Sequence, residues 1–162
     1  MNATTTMPTP IGPLRLTATP RGLARVEFLA RSTDRRGTRG TAQARAHLGR
    51  AVRQLREYFA GRRKAFNLAL DLQGDAHQLR VWQELLAIPF GQTASYGQVA
   101  KRVGSPLGAR AVGRACATNP LPVVVPCHRV VGSDGSLHGF GGGLWRKRAL
   151  LEHEGHGLPF PR

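Results

Sequence analysis

Ser95-Tyr96-Gly97-Gln98-Val99-Ala100-Lys101-Arg102-Val103, then Gly104-Ser105-Pro106-Leu107-Gly108, then Ala109-Arg110-Ala111-Val112-Gly113-Arg114-Ala115-Cys116-Ala117-Thr118 before Asn119-Pro120, is the stretch that decides the fold. Ser95 and Gln98 stand at capping-box spacing, so a helix starts at Ser95, with Val99, Ala100 and Val103 as its inner face. The Gly- and Pro-bearing segment 104–108 must break it. A second helix runs from about Ala109 to Thr118, where Asn119-Pro120 stops it. Helix, short turn, helix is the layout of a helix-turn-helix. The second helix is built from small residues, and only Arg110 and Arg114 are long. A major-groove reader needs side chains that reach base edges, and this helix has few. It is therefore either a packed interior helix or one that lies close against a sugar–phosphate backbone, and sequence-specific reading is not expected.

Toward the C-terminus, Val123-Val124-Val125-Pro126-Cys127-His128-Arg129-Val130-Val131 sets the best nucleophile type beside a base. A cysteine attacks as its thiolate, so a neighbouring imidazole matters. Adjacent residues of an extended chain point apart, so His128 needs a bent backbone or a bridging water to help Cys127. The bland alternative is a buried, inert cysteine. Zinc fits poorly, because Cys116 and Cys127 lack paired spacing. A papain-like site fits poorly too, because no suitable histidine follows Cys127 at long range. A glycine-rich loop spans Gly132 to Gly143, and a last helix runs from Leu144 to His153.

Toward the N-terminus, Leu79, Trp82 and Leu86 mark a helix that Pro89 closes, and Gln73-Gly74-Asp75 reads as a domain boundary. Before it, Phe66, Leu68, Leu70 and Leu72 alternate as a strand. Leu48, Val52, Leu55 and Phe59 form the apolar stripe of a helix over residues 42–60, with Arg45, Arg50, Arg53 and Arg56 mostly off it. Residues 31–40 read as a loop. Leu14, Leu16 and Ala18, then Leu23, Val26 and Phe28, flank Thr19-Pro20-Arg21-Gly22 as a hairpin. Residues 1–73 are thus expected as a scaffold domain and 74–162 as the domain that carries the chemistry.

The chain of 162 residues has 41% hydrophobic residues, enough for a core, so wholesale disorder is excluded. No apolar run approaches a membrane span, and the N-terminus lacks a secretory signal. A cytoplasmic, reduced setting is the expectation. The net charge of +15 favours a polyanionic partner, DNA or RNA before a membrane surface. Its distribution cuts across the motifs: residues 1–73 hold 14 basic and 4 acidic side chains, a net of +10, and residues 74–162 hold 10 and 5, a net of +5.

Pro126-Cys127-His128-Arg129-Val130-Val131 resembles the active-site signature of the O6-alkylguanine-DNA alkyltransferases, the methylated-DNA–protein-cysteine methyltransferases. The likeness extends through Ser95-Tyr96-Gly97-Gln98-Val99-Ala100, Ala109-Arg110-Ala111-Val112-Gly113, Asn119-Pro120 and Gly141-Gly142-Gly143-Leu144 to Leu151-Glu152-His153-Glu154-Gly155. It is looser at Thr9–Leu14 and Leu70–Gly74. It implies an α+β protein: a small N-terminal α/β (RNase H-like) domain with an antiparallel sheet, and a mainly helical, winged helix-turn-helix-like C-terminal domain.

The implied activity is irreversible, single-turnover transfer of an alkyl group from O6-alkylguanine, and more weakly O4-alkylthymine, in double-stranded DNA to Cys127. The damaged nucleotide must first be flipped out of the stack. His128 would be the base through a water, Glu154 its orienting carboxylate, and Asn119 the tie between the second helix and the active-site segment. Tyr96 would crowd the target phosphate and protonate the departing guanine. Arg110 would fill the vacated stack, with Ala109, Ala111, Gly113 and Arg114 along the minor groove. Val130, Phe140 and Gly141 would hold the guanine, with Cys116 as a pocket wall. Some members have a serine where Gly141 stands, which suggests a roomier pocket here. No metal, no cofactor, no membrane partner and a monomer are expected. The related alternative is a non-enzymatic sensor of alkyl damage, in which the acceptor cysteine is replaced. A transcription-regulating helix-turn-helix protein is the third reading.

Overall fold

The structure is a computed structural model that describes residues 1–30, 37–105 and 108–155. It divides into two compact units, Met1–Gln73 and Gly74–Arg162. Residues 31–36 of the expected loop and Pro106-Leu107 of the expected helix break lie outside the described residues.

In the first unit, β1 (Ala3–Met7), β2 (Leu14–Thr19) and β3 (Gly22–Phe28) form an antiparallel sheet in the order β1-β2-β3. Leu14, Leu16 and Ala18 alternate inward on β2, and the chain reverses at residues 20–21. β1 was not foreseen from the sequence: Thr4-Thr5-Thr6 is a polar run, and only Ala3 and Met7 at its ends are buried. Helix α1 (Ala42–Phe59) covers the sheet and starts at Thr41, whose side chain accepts from the Ala44 N–H.

Its inward stripe is Ala44, Leu48, Ala51, Leu55 and Tyr58, rotated from the expected one, so Val52 and Phe59 are only half-buried. A polar contact on that face helps set the rotation. Gln54, 2% exposed, donates to the Asn67 carbonyl at 3.0 Å and accepts from the Asn67 N–H at 2.9 Å. The expected strand over residues 66–72 is not formed. One bridge, Leu23 to Leu70, remains, through Leu23 N–H to the Ala69 carbonyl (2.9 Å) and Asp71 N–H to the Leu23 carbonyl (2.8 Å). The alternation is present without further ladder partners.

In the second unit, α2 (Ala76–Leu86) starts at a capping box of Asp75 and Gln78. Its buried face is Val81, Trp82 and Leu85, so the expected Leu79 and Leu86 flank that face and Leu86 is 38% exposed. The Trp82 indole N–H donates to the Ala115 carbonyl at 2.9 Å and so ties α2 to α4. β4 (Ala94–Ser95) leads directly into α3 (Tyr96–Arg102), and α4 (Gly108–Ala117) follows. The Ser95–Gln98 capping box is complete. β4 pairs in parallel with β5 (Val130–Val131), and α5 (Leu144–His153) closes the unit. Among the described residues no helix is long and apolar enough to cross a membrane.

Candidate active site

Asn119 ends α4 and organises the segment that follows. Its amide donates to the Val125 carbonyl and its carbonyl accepts from the Leu121 N–H, both at 2.9 Å. The Val123–Val125 run is consequently wound into a turn, with Val123 at φ 76°, a conformation that β-branched residues rarely adopt. Residues Cys127–Arg129 then form one 3-10 turn. A turn of three residues sets successive side chains about 120° apart. The backbone is thus bent at Cys127 and His128, and both side chains are buried.

The pairing of Ala94 with Val130 and Ser95 with Val131 fixes Tyr96, the first residue of α3, beside this turn. Lys147, Leu150, Leu151 and Glu154 form the buried stripe of α5 and its C-cap. Glu154 reaches back across 26 residues to His128.

Glu154 is 4% exposed and is held by two neighbours. Arg129 grips it with two bonds, Nε to Oε1 at 2.7 Å and Nη2 to Oε2 at 2.8 Å, while Arg129 Nη1 donates to the Ile88 carbonyl. His128 Nε2 lies 2.8 Å from Oε2. A carboxylate only accepts, so Nε2 carries the proton and Nδ1 holds the lone pair. Nδ1 is buried with no hydrogen-bond partner among the described residues. Burial pushes the imidazole below its ordinary value despite the Glu154 carboxylate, which keeps the ring neutral. Burial likewise raises the Cys127 thiol, opposed by the Asn119 hydrogen bond and by the charge of Lys147, so the resting sulfur is protonated.

Lys147 was missed by the sequence reading, and its side chain is fully buried. Its Nζ donates to the His138 carbonyl at 2.6 Å and to the Tyr96 hydroxyl at 3.2 Å. The Tyr96 hydroxyl donates to the same carbonyl at 3.2 Å. Burial pushes Tyr96 up to about 12, so it holds its proton, and pushes Lys147 down. The signal for Lys147 was available: it shares the helical stripe of Leu150 and Leu151, where a charge needs a reason. Arg129 stood inside the quoted motif, but its partner could not be read locally.

A cavity of about 740 Å³ opens beside Tyr96, with further walls from Arg110, Gly113, His138, Phe140 and Gly141; Cys127 is buried and does not line it. Ala109 also lines it, and exposed Arg114 does not. Cys127, His128, Glu154 and Asn119 also lie outside its walls, as do three residues expected at the pocket or groove. Ala111 packs inward with Val112 and Ala115, because α4 needs an apolar face toward its own unit. Val130 is fully buried, and Cys116 is half-buried outside the lining, its thiol pushed up to about 12 chiefly by burial. The interior reading of α4 therefore holds for one face, and the other face borders the cavity through Ala109, Arg110 and Gly113. Among the described residues no three His, Cys, Asp or Glu cluster as metal ligands.

Residues 3–72 match the family model of the 6-O-methylguanine DNA methyltransferase ribonuclease-like domain, and residues 76–156 match that of its DNA-binding domain. The chain belongs to the O6-methylguanine DNA methyltransferase family. A methylated-DNA–protein-cysteine methyltransferase of Mycobacterium tuberculosis is 48% identical over 149 residues, 92% of this chain and 90% of the relative. The constitutive enzyme of Bacillus subtilis is 42% identical over 156 residues, 93% of each chain. The crystal structure of Mycobacterium tuberculosis OGT in complex with DNA superposes with a TM-score of 0.81 at 46% identity, covering 93% of this chain and 91% of that one. As a member of this methyltransferase family, the chain has the α+β architecture expected, with the ribonuclease-like and DNA-binding parts in that order.

Proposed function

We propose that this DNA-repair methyltransferase flips O6-alkylguanine out of duplex DNA and transfers its alkyl group, once and irreversibly, to Cys127. The observation that carries this is the buried His128–Glu154 pair next in the chain to buried Cys127, in which Glu154 holds Nε2–H and leaves Nδ1 as the basic atom. His128 Nδ1 takes the thiol proton, through a bridging water, and Glu154 with Arg129 balances the imidazolium that results. The sulfur attacks the alkyl carbon, the C–O6 bond breaks and its electron pair passes into the guanine ring. Tyr96 then protonates the departing base, and the Lys147 ammonium at 3.2 Å supports the phenolate that remains. The thioether is stable, so each molecule acts once and needs no cofactor.

Residues 74–162 form the DNA-binding and alkyl-transfer part, with 1–73 as scaffold. The outward face of α4, Ala109, Arg110, Gly113 and Arg114, lies in the minor groove with little sequence preference, and Arg110 fills the gap left by the flipped base. Phe140 and Gly141, which line the cavity, hold the guanine edge, and O4-alkylthymine is a weaker substrate. A monomer acting in the cytoplasm fits this reading. The competing sensor reading needs a replaced acceptor, whereas Cys127 is present. Incubation with a duplex carrying O6-methylguanine is expected to add one methyl group to the Cys127 peptide, read by mass spectrometry, and none to Cys116. No gain on reduced Cys127 overturns the transfer reading in favour of the sensor.

A further inference from the structure

The loop that follows β5 carries a polar cluster that the transfer reaction does not use. The Ser136 hydroxyl lies 2.5 Å from Asp134 Oδ1, which also accepts from the Ser136 N–H at 2.9 Å, and His138 Nε2 lies 2.7 Å from the same hydroxyl. These bonds hold the Asp134 carboxyl below its ordinary range, so it is ionised and can only accept. Ser136 has one proton to donate, and it goes to Asp134. Its oxygen must therefore accept from His138 Nε2–H, which sets the tautomer and gives the exposed ring one anchoring hydrogen bond.

The three side-chain ends converge above Gly132. A Cβ there would lie 2.6 Å from Ser136 Oγ, 2.8 Å from His138 Nε2 and 2.9 Å from Asp134 Oδ1, so a side chain at this position would push the three ends aside. The anchored imidazole lines the cavity and stands edge-on to Tyr96, with ring centroids 6.3 Å apart and planes at 73°. On the Phe140 side, Gly141 leaves open space where a side chain would project.

We propose that His138 is a specificity-determining residue: its ring, held by Ser136 and Asp134, forms a fixed wall that limits the size of the alkyl group the cavity accepts. The inference rests on the alkyl-transfer reading of the same cavity. A ring free to swing would yield to a bulky substituent, whereas one held through Nε2 must break that bond to do so. The His138 carbonyl, which serves Tyr96 and Lys147, belongs to the backbone and survives substitution of the side chain.

Single-turnover rates on duplexes carrying O6-methylguanine or O6-benzylguanine test this with wild type, His138→Ala and Ser136→Ala. His138→Ala is expected to raise the benzyl-to-methyl rate ratio about fivefold or more, as for other pocket-size effects. Ser136→Ala keeps the ring and removes its anchor, so it should shift the ratio the same way by less. An unchanged ratio in both variants overturns the proposal, and so does a parallel loss of both rates in His138→Ala. Methyl transfer by the wild type reports separately on the activity itself.

Discussion

Glu154 accepts from both His128 and Arg129, so removing its charge leaves a buried guanidinium and a mis-set imidazole together. Breaking a buried pair in this way costs about 3–5 kcal/mol, and Glu154→Ala should lose that much in urea unfolding as well as most of its transfer rate. His128 adds a pH dependence with a defined sign. The unfolded chain binds a proton at this ring below about 6.5, while the buried ring resists it. Stability from His128 is full above that value and is lost as pH falls through the lower folded-state value. Thermal melting between neutral and mildly acid pH should therefore drop more steeply for wild type than for His128→Gln, and equal slopes would contradict a neutral buried ring. Lys147 acts through Tyr96 and through its charge near Cys127. Lys147→Met should slow transfer roughly 10- to 100-fold while DNA affinity stays unchanged. The wild-type rate should also decline on the alkaline side as Lys147 gives up its proton, a limb the variant lacks.

At the scale of elements, short local signals set the helix starts, and those helices aim the site. Ser95 caps α3 immediately before Tyr96, accepting from the Gln98 N–H at 3.0 Å. Ser95→Ala should cost about 1 kcal/mol in denaturant unfolding and reduce transfer further by loosening Tyr96. The α3, α4 and α5 segments were legible because capping residues, glycine breaks and period are carried within a few neighbours. The strand expected at 66–72 shows the limit of that legibility: alternation was present, but a strand needs a partner edge, and only Leu70 finds one. The α1 stripe was read correctly at Leu48 and Leu55 but took Val52 and Phe59 for Ala51 and Tyr58, on a face where Gln54, a polar residue, packs inward on two hydrogen bonds to Asn67.

For the whole molecule, charge and site are placed differently. The first unit holds a net +10 of the +15, whereas the cavity and its Arg110 belong to the second. On α1, Arg50 donates to the Asn67 carbonyl at 3.2 Å, and Arg53 and Arg56 face solvent. Replacing Arg110 and Arg114 by glutamine should flatten the salt dependence of DNA binding by ~0.9 for each phosphate no longer neutralised. The same change at Arg53 and Arg56 should leave the slope unchanged, and an equal flattening there would give the first unit a direct part in DNA binding.

By itself the sequence determined the family, the helix-turn-helix pair, the caps and the adjacency of Cys127 with His128, because each depends on residues close along the chain. The tertiary structure alone decided which nitrogen of His128 is basic, why Lys147 is buried and where Arg129 points. Those answers depend on α5 folding back across 26 residues to His128 and 51 to Tyr96, and no local pattern encodes a contact over such separations. A buried charge is tolerated only where a distant partner meets it, and that meeting is a property of the packed chain.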